Sequence, residues 1–262
     1  MTLSRTLSAP ALAAMLACCV IANANAGAAP APVAAPVAVP APDPRVYVSA
    51  DRDSEWNSYR HAYKAAAYFA TFTRTRPLIQ AHMQIRLIDQ NASLEGLTIR
   101  LQGEHTDMML PVDAIGRSVL PMLKEPYQDD AVLRLNRRKG SYYFSGRYSV
   151  RERDDGVYQA NELRAACEQL IGAQRASGYR IRLIGKRCAG IRFVYPLNEA
   201  ASPVSVQAPG AAPAVLALVD GPPFEGPAQV NYKVAVYRFA DWPAQGQVLA
   251  ARRPLAIGTV YE

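Results

Sequence analysis

The chain of 262 residues carries 29 lysines and arginines against 22 aspartates and glutamates, a net charge of +7, and half of it is apolar. That length suits one good-sized domain or two small ones, and the composition is that of a globular protein. The charge excess is well short of a nucleic-acid-binding tail, so no nucleic-acid partner is expected.

The first segment reads as an address. Arg5 supplies a positive start, Leu7 to Ala22 an apolar run, and Ala24-Asn25-Ala26 the small residues that a signal peptidase reads. Residues 1–26 are therefore expected to be a cleavable signal peptide, with the mature chain exported to the periplasm or outside the cell. The apolar run is shorter than the roughly 20 residues needed to span a bilayer, and no stop-transfer charge follows it. Met15-Leu16-Ala17-Cys18 partly resembles a bacterial lipobox, so lipidation of Cys18 is the rival reading. A methionine stands there where leucine is usual, and the stretch beyond is apolar where a polar tether would be normal. Residues 27–44 are almost entirely alanine, proline and valine, which suits an extended, polyproline-like disordered spacer.

Residues 45–197 carry the patterning of a folded α+β domain. Asp53 or Ser54 can cap a helix in which Trp56, Tyr59, Tyr63, Ala66, Ala67 and Ala70 form one apolar stripe, closed by Arg74, Arg76 and Pro77. Beyond Pro77 the period falls to two. Met83, Ile85 and Leu87 alternate with polar residues, and Leu97, Ile99 and Leu101 do the same past a turn at Asp89 to Ser93. Met108–Val112 and Ser118–Met122 flank an expected hairpin turn at Asp113 to Gly116. Val132, Leu133 and Leu135 lead through Asn136 to Gly140 into Tyr142–Val150. A second helix is expected over Val157–Ala176, stopped by Ser177-Gly178. Tyr179–Ile184 and Ile191–Tyr195 then read as strands. Ile181-Arg182-Leu183-Ile184 repeats Ile85-Arg86-Leu87-Ile88, a hint of a duplicated unit.

Residues 198–213 return to Ala, Pro, Ser and Gly and read as a loop or linker. Residues 214–262 carry three strand-like runs, too few residues for a core of their own, and are expected to add to the main sheet. The fold expectation is α+β: an antiparallel sheet or sandwich of many short strands with two packed helices.

After signal removal two cysteines remain, Cys167 and Cys188. In an exported chain they are expected to pair, closing a loop of about twenty residues. No nucleophile elbow, zinc-protease motif or phosphate-cradling glycine loop occurs, and neither a cofactor nor a metal site is expected. Glu104, His105 and Asp107 form the one acid–base cluster worth testing. Arg86, Arg100, Arg134, Arg182 and Arg192 each interrupt an apolar alternation, which would place them on the outer face of a half-buried sheet, with Tyr142 and Tyr148 near one edge. Guanidinium groups so gathered suit carboxylate or phosphate groups, and an anionic envelope polymer or an envelope protein is the conceivable partner. The expected role is a non-catalytic binding or structural module of the bacterial periplasm or cell surface; an envelope-polymer hydrolase is the alternative.

Overall fold

The computed structural model describes residues 54–226 and 230–262. The signal, lipobox and spacer readings lie outside them. The architecture is α+β, with antiparallel sheets and two long helices packed on them.

Three sheets account for the strands among the described residues. The first, in the order β1-β6-β3-β4, joins β1 (Ser54–Ser58), β6 (Val132–Arg138), β3 (Thr98–Gln102) and β4 (Asp107–Pro111). The largest runs β12-β13-β9-β15-β7-β2-β5 through β12 (Leu218–Gly221), β13 (Tyr232–Arg238), β9 (Cys188–Tyr195), β15 (Ala256–Tyr261), β7 (Tyr142–Val150), β2 (Ile79–Leu87) and β5 (Arg117–Ser118). The third, β11-β10-β14-β8, holds β11 (Ala214–Val215), β10 (Val204–Gln207), β14 (Gln247–Ala250) and β8 (Val157–Gln159). Strand β10 arises from the Ala/Pro-rich stretch that reads as a linker: Val204 and Val206 are buried, and that two-residue alternation outweighs the surrounding prolines. The late strands β13 and β15 pair with β9 on either side of it.

Helix α1 (Tyr59–Thr73) starts later than its aromatic spacing suggests. Ser58 is the N-cap, its Oγ accepting from the His61 amide at 3.3 Å, while Ser54–Ser58 pairs with β6 as a strand. Trp56 is therefore an outward strand residue opposite Arg134. Tyr59 and Ala62 of α1 pack with Ile85, Leu87, Ile99, Leu101, Leu133 and Leu135 between the first and largest sheets. A one-turn helix α2 (Glu125–Gln128) precedes β6, and α1 lies against it.

Helix α3 (Ala160–Gln174) buries Leu163, Ala166, Cys167, Leu170 and Ala173 in a core shared by β9 and β7 of the largest sheet and β10 and β14 of the third, and it packs directly on β9 and β7. Its first residues, expected as helix from Val157, pair with β14 instead. The helix loosens into a π-turn over Arg175–Tyr179 at Gly178, whose φ of 106° lies where a side chain is strained.

Two sequence expectations fail here. Tyr179–Ile184 is a helical turn, with a 3-10 segment over Ile181–Leu183, so its likeness to Ile85–Ile88 at the end of β2 reflects no duplicated unit. Ser118–Met122 does not pair back on β4; β5 joins β2, and Val119 stands exposed. The Asp113–Gly116 turn does form, with the Gly116 amide donating to the Asp113 carbonyl at 2.9 Å.

Candidate functional site

The largest sheet splits open beside β7. That strand pairs with β2 along its whole length, from Leu87↔Tyr142 to Ile79↔Val150. On its other side it meets β15 at the single pair Ile257↔Val150. Continuing that register would set Tyr148 opposite Thr259 and Gly146 opposite Tyr261. Strand β15 instead stays with β9, so the two strands diverge as a wedge. A cavity of about 490 Å³ fills this wedge, within the range of small-ligand sites.

Four cations surround it. Arg86 of β2 lies over the Tyr143 ring at 5.3 Å, and Arg147 of β7 lies over the Phe224 ring at 4.5 Å. Arg182 and Lys186 come from the turn after α3 and are exposed. Among the described residues none of the four is ion-paired. Arg147 donates from Nε to the neutral Gln84 Oε1 at 2.6 Å. Burial, together with the neighbouring Arg86 charge, lowers the Arg147 pKa to about 10, so it stays charged near neutral pH. Glu225, the acidic member of the lining, already pairs with Arg192 at 2.9 Å. Tyr143, Tyr148, Tyr179 and Tyr261 complete the walls with Gln174 and Ser145. Such a site has charge to offer an anion and π-faces to offer a ring or a flat group.

Phe69, Ser145 and Gly146 also line a second cavity of about 370 Å³ between α1 and the sheet. It exists because α1 presents alanines, at 62, 65, 66 and 70, where larger side chains would fill the gap. The Phe69 ring lies against Gly146 so closely that any side chain there would collide with it.

The five arginines singled out by alternation do not share one face. Arg86 and Arg182 meet at the cleft. Arg100 and Arg134 face each other across β3 and β6 of the first sheet, where Arg134 also donates to Gln102 Oε1 at 3.2 Å. Arg192 is tucked under the Pro222–Gly226 loop, bonded to the Pro222 carbonyl and Glu225. The reason is topological: alternation tells which side of its own strand a residue takes, and these strands belong to different sheets. Tyr142 and Tyr148 are both buried, Tyr148 forming part of the cleft wall.

Arg147 and Lys186 escaped the alternation argument. The register places Arg147 opposite His82 and Tyr143 opposite Arg86, so the arginine–tyrosine alternation of β7 was the available signal.

Glu104 and His105 stand on the exposed β3–β4 turn, 3.8 Å apart, and Asp107 is held by both arms of Arg100 at 2.7 and 2.6 Å. That bond holds the Asp107 carboxyl below its usual range, which unsuits it as a proton acceptor. No cluster of three metal-ligating side chains occurs among the described residues.

His82 lies behind the cleft, partly buried and opposite Arg147 in the β2–β7 register. Both ring nitrogens lack a partner among the described residues. Burial, and then the charges of Arg117 and Arg147, lower its pKa to about 3, so the imidazole stays neutral. Arg117 itself is committed to Asp113 at 2.7 Å and to the buried Glu152 at 2.6 Å.

Comparison with protein-family models, curated proteins and solved structures finds no significant match. Function rests on the site itself.

Cys167 and Cys188 form a disulfide that ties α3 to the start of β9. No helix among the described residues is long and apolar enough to cross a membrane.

Proposed function

We propose that the chain is an exported, non-catalytic binding module of the cell envelope whose partner presents phosphate or carboxylate groups to the cleft beside β7. The observation that carries this reading is the cleft's charge balance. Among the described residues, four cations line it without an ion pair, and the one carboxylate of the lining is spent on Arg192. Partly buried guanidinium groups without an acid are costly to hold, and an anionic ligand relieves that cost. The signal-like leader and the disulfide support an oxidising location outside the cytoplasm. The hydrolase alternative loses support because its acid–base cluster stands in solvent, with Asp107 engaged by Arg100.

Retention on heparin resin tests the reading. Wild type should be retained at low salt and released as the screening length falls from about 10 Å at 0.1 M to 3 Å at 1 M. The double variant Arg86→Gln/Arg147→Gln should bind a soluble polyphosphate roughly 100-fold more weakly, at about 1.5 kcal/mol for each lost charge-assisted bond. Equal affinity of variant and wild type would refute the cleft as the binding site.

A further inference from the structure

The turn that closes the cleft carries an apolar tip that anion binding does not use. From Gln169 to Asn198 the chain contains no acidic residue, yet it holds six arginines and lysines, five of them between Arg175 and Arg187. At the centre of that run Ile181 and Ile184 are 85% and 77% exposed. Isoleucine is among the residues most often buried.

The turn is anchored. Leu183, between the two isoleucines, is buried, and its amide donates to the Arg180 carbonyl at 3.1 Å. The Lys186 amide donates to the Leu183 carbonyl at 3.2 Å, and Arg175 reaches across to the Lys186 carbonyl at 2.6 Å. One residue beyond Arg187, Cys188 is bonded to the core helix. Two large aliphatic side chains are thus held outward on a braced base, flanked in sequence by Arg180, Arg182 and Lys186, while Arg187 is paired with the Glu262 carboxylate at 2.9 Å.

We infer that this turn seats on an anionic lipid surface, with Ile181 and Ile184 entering the acyl boundary and the surrounding cations meeting headgroup phosphates. Aliphatic tips beside basic side chains are the pattern of interfacial binding, in which apolar burial and attraction to anionic lipid add. Long basic side chains can lay their stems along the boundary while their charges stay in the headgroup layer. A protein partner fits less well. Two side chains on a narrow turn offer far less than the roughly 800 Å² per side of a specific interface, whereas a bilayer needs no matching shape. The inference goes beyond the cleft reading, because the isoleucines do not line the cleft.

The test is co-sedimentation of the full chain with vesicles of phosphatidylcholine alone or with one third phosphatidylglycerol, at 0.15 M salt. Wild type should partition onto the anionic vesicles and leave the neutral ones. Ile181→Ser/Ile184→Ser should lower that partition on the order of 100-fold, about tenfold for each isoleucine withdrawn from the acyl boundary, while heparin retention and the melting temperature stay as in wild type. In a separate Ile184→Trp variant, tryptophan emission should shift to the blue on anionic vesicles. Wild type that ignores anionic vesicles would overturn the inference, as would a double serine variant that binds them equally well. An isoleucine-dependent complex with a soluble acidic protein, without vesicle binding, would overturn it in favour of a protein partner. These results leave the cleft reading untouched, since that stands or falls on Arg86 and Arg147 with polyphosphate.

Discussion

Replacing Cys167 and Cys188 together by alanine should destabilise the fold by about 3 kcal/mol. The two residues are 21 apart in sequence, and in the chain-entropy model closing a loop of that size restricts the unfolded chain by about 11 cal/mol/K, or ~3.4 kcal/mol at 25 °C. Alanine in place of the fully buried Cys167 leaves a gap of a single sulfur, a minor addition. For a domain of this size each kcal/mol moves the melting temperature by about 2–4 °C, so calorimetry should find a fall of roughly 7–13 °C. Reducing the wild type should reproduce most of that fall. The loss should also have a local face, because the bridge braces the Arg175–Arg187 turn at its far end, and amide exchange there should accelerate more than in β9. Thiol labelling of denatured, unreduced protein should find no free cysteine in the 54–262 region. A melting shift under about 2 °C, or identical curves with and without reductant, would refute the view that this bridge constrains the unfolded chain.

Two further outcomes follow from buried groups. His82 is held near pKa 3 when folded and returns to about 6.5 when unfolded. The unfolded chain therefore binds the extra proton between those values, and stability falls as pH drops from about 6.5 towards 3, by up to ~1.4 kcal/mol per pH unit. Between pH 7 and 4 the urea midpoint should fall more steeply for wild type than for His82→Leu; parallel lines would contradict the lowered pKa of His82. Gly156 sits at φ +64° with its open side against the Ala250 carbonyl oxygen. Gly156→Ala should thus cost at least about 2 kcal/mol from the left-handed backbone and the collision together, and an unchanged urea midpoint would contradict that geometry.

Strands β3 and β6 alternate cleanly and were legible from periodicity because one face of each is buried, β2 was legible from Met83, Ile85 and Leu87, and β7 from its run of tyrosines. The body of both long helices was legible from spacing at three and four residues. Their starts were not. Trp56 and Tyr59 fit helical spacing, yet Ser58 offers the cap and the preceding residues gain more by pairing with β6. Ile181-Arg182-Leu183-Ile184 fits a strand equally well on paper, but it has no neighbouring strand and turns between Gly178 and Gly185. The arginine argument found Arg86 and Arg182 and missed their meeting place. The cleft is assembled from β2, β7, the turn after α3, the Pro222–Gly226 loop and the end of β15, and no local pattern records where two strands part.

That parting has a consequence for self-association. Where β7 leaves β15, the backbone groups on its free flank have no strand partner among the described residues, as at the margin of any sheet. Such a margin invites pairing with an identical chain, and charged side chains along it are a common defence. Arg86, Arg147, Arg182 and Lys186 guard this one, and two copies approaching through it would bring eight cations together. The guard works through charge alone, so it weakens as salt rises or when an anion occupies the wedge. The same neutralisation that binds a ligand would then remove the barrier to strand exchange, and the molecule should be most reluctant to self-associate when empty and at low salt.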